Sequence, residues 1–227
     1  MGGANRIELC SALSEGGLTP SHGLIQEAIR RSELPVHVLL RPRGGNFIYT
    51  DAEFAVMRED LKHMRLQGVS GVVLGILHKD ATVDVERTCE LVAIAGPLDV
   101  TFHRAFDQIS ALNQALEDVI STGCGRVLTS GGERDVVSGA QSLARLVKQA
   151  EGRIEIAVGG GLRLDNAAAV ARATGAHHFH GSMRRIVEGP IGDERPDALK
   201  NSDLFAQVRW AVESSDVRKI IENLRNA

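Results

Sequence analysis

Aromatic side chains are scarce in this sequence: one Trp, one Tyr and six Phe, 4% of the chain. That leaves no set of flat faces on which nucleic-acid bases could stack. There is no excess of positive charge either. The 26 Lys and Arg against 29 Asp and Glu give a net charge of −3, so the field that draws a protein onto DNA, RNA or an anionic bilayer is missing. The three cysteines, Cys10, Cys89 and Cys124, form no C-x-x-C pair. This excludes a zinc finger and a disulfide framework, and it fits a reduced compartment. No apolar run approaches the ~20 residues that span a bilayer. The opening MGGANRIELC has no basic segment followed by an apolar one, so no secretion signal is read. A cytoplasmic protein without nucleic-acid or membrane partners is expected. At 227 residues, 43% apolar and 24% charged, the chain is expected to form one domain over residues 1–227 with a sizeable core.

What is present is a repeating pattern. Short apolar runs recur at RIELC (6–10), VHVLLRP (36–42), GVVLGIL (71–77), DVTFHRA (99–105), RVLTSG (126–131), RIEIAVGG (153–160) and AHHFHGS (176–182). Their starts lie about 25–35 residues apart, which suits a strand followed by a helix. The intervening segments carry helix ends. Thr19-Pro20 reads as N-cap and first helical residue, Thr50 and Glu53 as a capping box, and Asp84 and Ser110 as N-caps. Gly123, Gly152 and Gly175 sit where helices should stop. Such alternation implies a parallel sheet, because parallel neighbours need crossover helices. No G-x-G-x-x-G follows the first run, which disfavours an open dinucleotide-binding sheet. Glycine-rich strand ends late in the chain favour an α/β fold of the (β/α)8 TIM-barrel type. Seven strands are counted, and GGAN at the start has no helix before it. A barrel lacking its first strand–helix unit is therefore expected. The alternative is a seven-stranded or partly open barrel.

In such a barrel the carboxyl ends of the strands converge on one rim. There the sequence places Glu8, Cys10, Arg41, Arg43, Gly75, His103, Arg104, Thr129, Ser130, Gly159, Gly160, Gly161 and His180, with Ser182 just after the last strand. Arg41 and Arg43 flank a Gly pair in RPRGGNF and can fork a carboxylate or phosphate, or pair with Glu8 or Asp107. In FHRAFD, His103 is a candidate general acid or base, while Asp107 could orient an imidazole or pair with an arginine. Glu8 alternates with Ile7 and Leu9, so it should face inward as an acid, a base or an ion-pair partner. The run GGG at 159–161, followed one unit later by HGS at 180–182, lets backbone N–H groups approach an anion; plain turn geometry is the competing explanation. A lone thiol is a poor Cu(I) site, since that soft ion takes two or more sulfur ligands.

The strings GGANRIELCSALSEGGLTPSHGLI, RPRGGNFIYTDAEF, TFHRAFD, RVLTSGG and GGGL…FHGS resemble the CutC copper homeostasis protein family, in the same order, from residue 2 to about 183. The resemblance implies a (β/α)8 barrel, a cytoplasmic homo-oligomer (dimer or tetramer), and a role in copper tolerance or Cu(I) binding. It implies no particular reaction. Cys10 matches the second of two family cysteines at strand ends; the first would lie before Met1. Asn5 stands where the family has Asp, and the stretch from residue 183 departs from the pattern until SSDVRKIIENLRNA, with Ser214 or Ser215 as N-cap. Two functions are expected. One is copper homeostasis, with Cu(I) at Cys10. The other is an enzyme acting on a small anionic or phosphorylated metabolite at the rim. Its catalytic set would be Glu8, His103, Arg104 and Asp107, and its anion-binding set Arg41, Arg43, Ser130, Gly160, Gly161, His180 and Ser182. A non-catalytic scaffold has no positive feature in its favour.

Overall fold

The computed structural model describes residues 2–187 and 209–227. In chain order it contains β1 (Ile7–Leu9), α1 (His22–Arg31), β2 (Val36–Leu39), α2 (Asp51–Gln67), β3 (Gly71–Leu74), α3 (Val85–Ala95) and β4 (Asp99–Phe102). A 3-10 turn (Arg104–Gln108), α4 (Leu112–Ser121), β5 (Arg126–Thr129), α5 (Ala140–Ala150), β6 (Glu155–Gly159), α6 (Ala167–Thr174) and β7 (His178–His180) follow. An antiparallel pair, β8 (Arg184–Val187) and β9 (Arg209–Val212), precedes α7 (Ser214–Arg225). The divergent stretch after residue 183 is thus described only at its two ends. No helix among the described residues is long and apolar enough to cross a membrane.

The seven strands β1 to β7 pair in parallel, in sequence order, in one sheet. Winding in a single direction excludes the doubly wound alternative, whose strand order reverses at a switch point. The sheet curls: His180 Nδ1 on the last strand lies 3.5 Å from Glu8 Oε2 on the first. The chain therefore forms the expected (β/α) arrangement as a curled, seven-stranded half-barrel. Among the described residues no strand covers the outer edge of β1 or β7.

Local chemistry sets the helix ends. At α2, Thr50 Oγ1 accepts the Glu53 N–H at 3.3 Å and the Glu53 carboxylate accepts the Thr50 N–H at 2.8 Å, so both halves of the capping box form. Asp84 caps α3 through the Arg87 N–H. Other caps fall elsewhere than expected. Ser21, not Thr19, accepts the Leu24 N–H at α1, because Thr19 Oγ1 is taken by the Arg41 N–H from the loop after β2. Ala111, not Ser110, precedes α4, and Glu213 precedes α7, neither with a side-chain cap.

Strand alternation decides what faces the helices. Val36, Val38, Leu40, Val72, Leu74, Val100, Phe102, Val127 and Ile156 join Phe54, Met57, Leu61, Met64, Leu91 and Leu116 in the main core. Burying each such side chain contributes about 1.5–3 kcal/mol. The opposite parity lines the concave side. At its amino-terminal end, Arg126 pairs with Glu155 and donates to Thr101 Oγ1 at 3.1 Å. His178 Nδ1 lies 3.5 Å from Glu155, and His37 Nε2 lies 3.7 Å from Asp99.

Crowding on this concave side explains two glycines of β3 and its end. A Cβ at Gly71 would sit 2.6 Å from the His37 ring and 2.8 Å from the Asp99 carbonyl oxygen. A Cβ at Gly75 would sit 2.5 Å from the His103 ring. Neighbouring imidazoles thus lie across β3 where side chains are missing. Gly71→Ala is expected to cost about 1–3 kcal/mol, because the backbone carbonyl cannot step aside as a side-chain tip could. Urea unfolding measures this, and an unchanged midpoint would contradict the packing described.

Candidate functional site

The carboxyl-end rim is organised by Asp107. The sequence turns from β4 into the 3-10 turn at His103, and the turn brings Asp107 back against the end of β5. Its Oδ1 accepts from Thr129 Oγ1 and from the N–H groups of Ser130 (3.0 Å) and Gly132 (3.1 Å). Its Oδ2 accepts from Arg104 Nε at 2.7 Å and from Ser130 Oγ at 3.0 Å. Arg104 Nη2 also donates to Ser130 Oγ at 2.7 Å. None of the guanidinium's hydrogen bonds among the described residues uses Nη1, and the side chain is 41% exposed. Gly160 (φ 109°) lies against it: a Cβ there would be 2.9 Å from Arg104 Cζ and 3.2 Å from Ser130 Cβ. Both the backbone angle and the close approach demand glycine. Gly161 (φ 74°) continues the turn.

The other two arginines are engaged by the loops that carry them. Arg41 is buried, and its Nη1 donates to the carbonyls of Glu15 (2.7 Å) and Gly17 (2.9 Å), while Nη2 donates to Gly45 (2.8 Å). Arg43 donates through Nε to Glu53 Oε1 at 2.5 Å, through Nη1 to Asn46 O at 2.9 Å and through Nη2 to Ile48 O at 2.7 Å. It holds the Glu53 carboxyl well below the usual range, at about 2, with help from the Thr50 N–H. Both arginines thus tie the β2–α2 loop in place, a role distinct from forking one anion between them.

His103 is buried, with its ring 4.7 Å from the Phe47 centroid. Nδ1 accepts the Ala105 N–H at 3.2 Å, which places the proton on Nε2. Burial, and then the nearby Arg41 charge, push its pKa down to about 3. At neutral pH His103 therefore offers a neutral N–H donor. Glu8 meets His180 at 3.5 Å across the closing side of the curl, and meets neither Arg41 nor Arg104 in an ion pair among the described residues. Ser182 is exposed and apart from the Asp107 network.

Cys10 follows β1, half-buried, with Gly17 packed against it; a Cβ on Gly17 would be 3.4 Å from its sulfur. Burial, then the Glu8 charge, raise the thiol's pKa, while Arg184 opposes them. Among the described residues, no three His, Cys, Asp or Glu side chains are placed to hold a metal ion together.

The rim thus brings together Arg104, Asp107, Ser130 and Gly160, pairs Glu8 with His180, and sets Arg41 with His103. Sequence reasoning missed Thr129 as an Asp107 partner, and it missed Phe47 and Tyr49 as neighbours of the arginines. Phe47 and Tyr49 carried one available signal, since they are aromatics in a chain with few, directly after the arginine loop.

Comparison with known proteins places this geometry. The profile of the CutC family matches residues 1–185. A family protein CutC from Chromobacterium violaceum is 44% identical over 227 residues, covering 100% of this chain and 92% of that one. A human protein named copper homeostasis protein cutC homolog is 46% identical over 219 residues, covering 96% of this chain and 80% of the relative. A crystal structure of a CutC protein from Streptococcus agalactiae superposes with a TM-score of 0.75 at 35% identity, covering 78% of this chain and 88% of that chain.

Two outcomes follow from the site. Asp107→Ala strips a buried carboxylate from several donors, so a loss of about 2–4 kcal/mol is expected in denaturant unfolding. Acid sensitivity is the second. His37 and His103 titrate near 4 and 3 when folded, against 6.5 ordinarily. Below 6.5 the unfolded chain takes up protons that the folded chain refuses. The stability both residues contribute is complete above that value and is lost as pH falls through the interval. A slope of about 1.4 kcal/mol per pH unit for each histidine is expected between pH 6 and 5, read from urea midpoints; a flat profile would show that the imidazoles are not held neutral.

Proposed function

The chain belongs to the CutC family, and on that premise we propose that it takes part in copper homeostasis, the role carried in the name of its human relative, with Cu(I) as cargo met at Cys10. The observation that carries this reading is position. Of the three cysteines, Cys89 lies within α3 and Cys124 precedes β5 at the amino end of the sheet, while Cys10 follows β1 at the rim.

The donor set does not by itself make a closed Cu(I) site. One sulfur is half of the minimum a soft ion takes, and the raised thiol pKa keeps the proton on Cys10 at neutral pH. Copper binding must displace that proton and recruit a second soft donor. A second copy of the chain, in the dimer or tetramer expected for this family, is one source; a thiol carrier that delivers the ion is another.

A second reading, an enzyme or receptor for a small anionic or phosphorylated metabolite, rests on Arg104. Its guanidinium is aimed by Asp107 and Ser130, stays partly exposed, and keeps Nη1 uncommitted beside the Gly160–Gly161 turn. Such a preorganised cation with adjacent backbone N–H groups suits a phosphate or carboxylate.

Titration with Cu(I) in an anaerobic competition assay tests the first reading. Bound copper is expected to disappear in Cys10→Ser and to persist in Cys89→Ser; unchanged stoichiometry in Cys10→Ser sinks it. For the second, inorganic phosphate is expected to raise the melting temperature of the wild type but not of Arg104→Gln. Equal responses would remove Arg104 from anion binding.

A further inference from the structure

The β8–β9 ribbon turns an apolar face to solvent. Cross-strand pairing sets Arg184 opposite Val212 and Ile186 opposite Trp210, and alternation puts these four side chains on one side of the ribbon. Ile186, Trp210 and Val212 are 63%, 46% and 55% exposed. Arg185 and Ala211 fall on the reverse side, where Arg185 pairs with Glu213 at 2.9 Å. One exposed apolar residue is ordinary, but three adjoining on one ribbon form a patch. The ribbon is anchored at its base, since Met183 packs against the cluster that contains Leu162 and Ile220.

The face also holds a cation. The Arg184 guanidinium carbon lies 4.6 Å from the Trp210 ring centroid. Stacking uses the flat side of the guanidinium and leaves its N–H edges for a carboxylate fork. Among the described residues no carboxylate pairs with it; the nearby Glu213 is taken by Arg185.

That combination selects among partners. A second copy docking through the same face would bring two Arg184 guanidiniums into one contact without a counter-charge. An anionic bilayer is held by several cations, each worth about 1 kcal/mol near the surface; this face offers one, on a chain of net charge −3. A carboxylate flanked by apolar side chains satisfies both features, forking Arg184 while its neighbours cover Ile186, Trp210 and Val212. Trp and Arg are also the side chains on which protein contacts most often depend.

We infer that this face of the β8–β9 ribbon docks a short acidic segment of another protein, one that carries a carboxylate between apolar side chains. The inference rests neither on copper binding nor on the Arg104 cradle.

Trp210 is the only Trp of the chain, so its fluorescence reads the face directly. Random peptides displayed on phage and selected on the full-length protein are expected to converge on Asp or Glu between apolar residues. The selected peptide, made synthetically, is expected to shift Trp210 emission to the blue and to bind Arg184→Gln about tenfold more weakly, the loss of one charge-assisted contact. Exchanging its acidic residue for the amide is expected to cost a similar factor. Ile186→Ser, at a side chain already in water, is expected to weaken binding while the urea midpoint stays put. Selection without an acidic consensus would overturn the proposal, as would a peptide that leaves Trp210 emission unchanged or binds Arg184→Gln as well as the wild type. A blue shift caused by phosphatidylserine vesicles alone, or by raising the protein concentration alone, overturns it too, assigning the face to a membrane or to a second copy.

Discussion

A sheet curled until side chains of its first and last strands meet leaves little room on its concave side, and the rest of this structure follows from that crowding. Glu8 and His180 meet at 3.5 Å across the curl. Inward positions must then be small or share space. Gly71 and Gly75 are bare so that the rings of His37 and His103 can lie over β3, and Gly160 is bare so that Arg104 can lie against β6. These glycines act through what crosses them, more than through the turns that usually explain glycine.

The same crowding sorts charges by what they can reach. In a poorly hydrated interior every charge needs partners, and the three rim arginines find different ones. Arg41 takes backbone carbonyls from the loops after β1 and β2. Arg43 takes Glu53 and its own loop. Arg104 is aimed by Asp107 and Ser130 with one edge left over. A rim that looks uniformly cationic as a string of residues therefore divides into two loop clamps and one presented guanidinium. Burial likewise turns His103 from a group that ordinarily titrates near neutrality into a fixed donor.

The placement of Cys10 belongs to the same logic. Cys10 is at the rim but half-buried beside Glu8, an environment that opposes the thiolate. The rim around it carries more nitrogen and oxygen donors than sulfur, so the copper reading proposed above calls for a donor from outside the chain.

Reading the residues in order was enough to find the parallel strands, the capping box at Thr50 and Glu53, the Asp84 cap and the inward direction of Glu8. All of these depend on period, parity and neighbours within a few positions, which a linear string carries. The string did not reveal that Thr19 serves Arg41 rather than α1, that Asp107 reaches Thr129 and Ser130, or that Arg41 and His103 both lie against Phe47. Those partners lie more than twenty residues apart in most cases, and which of them meet depends on how tightly the sheet curls. Local hydrogen bonds and side-chain alternation are short-range consequences of covalent geometry; the pairing of buried charges is decided only when desolvation forces each to take whatever the curled sheet has brought within reach.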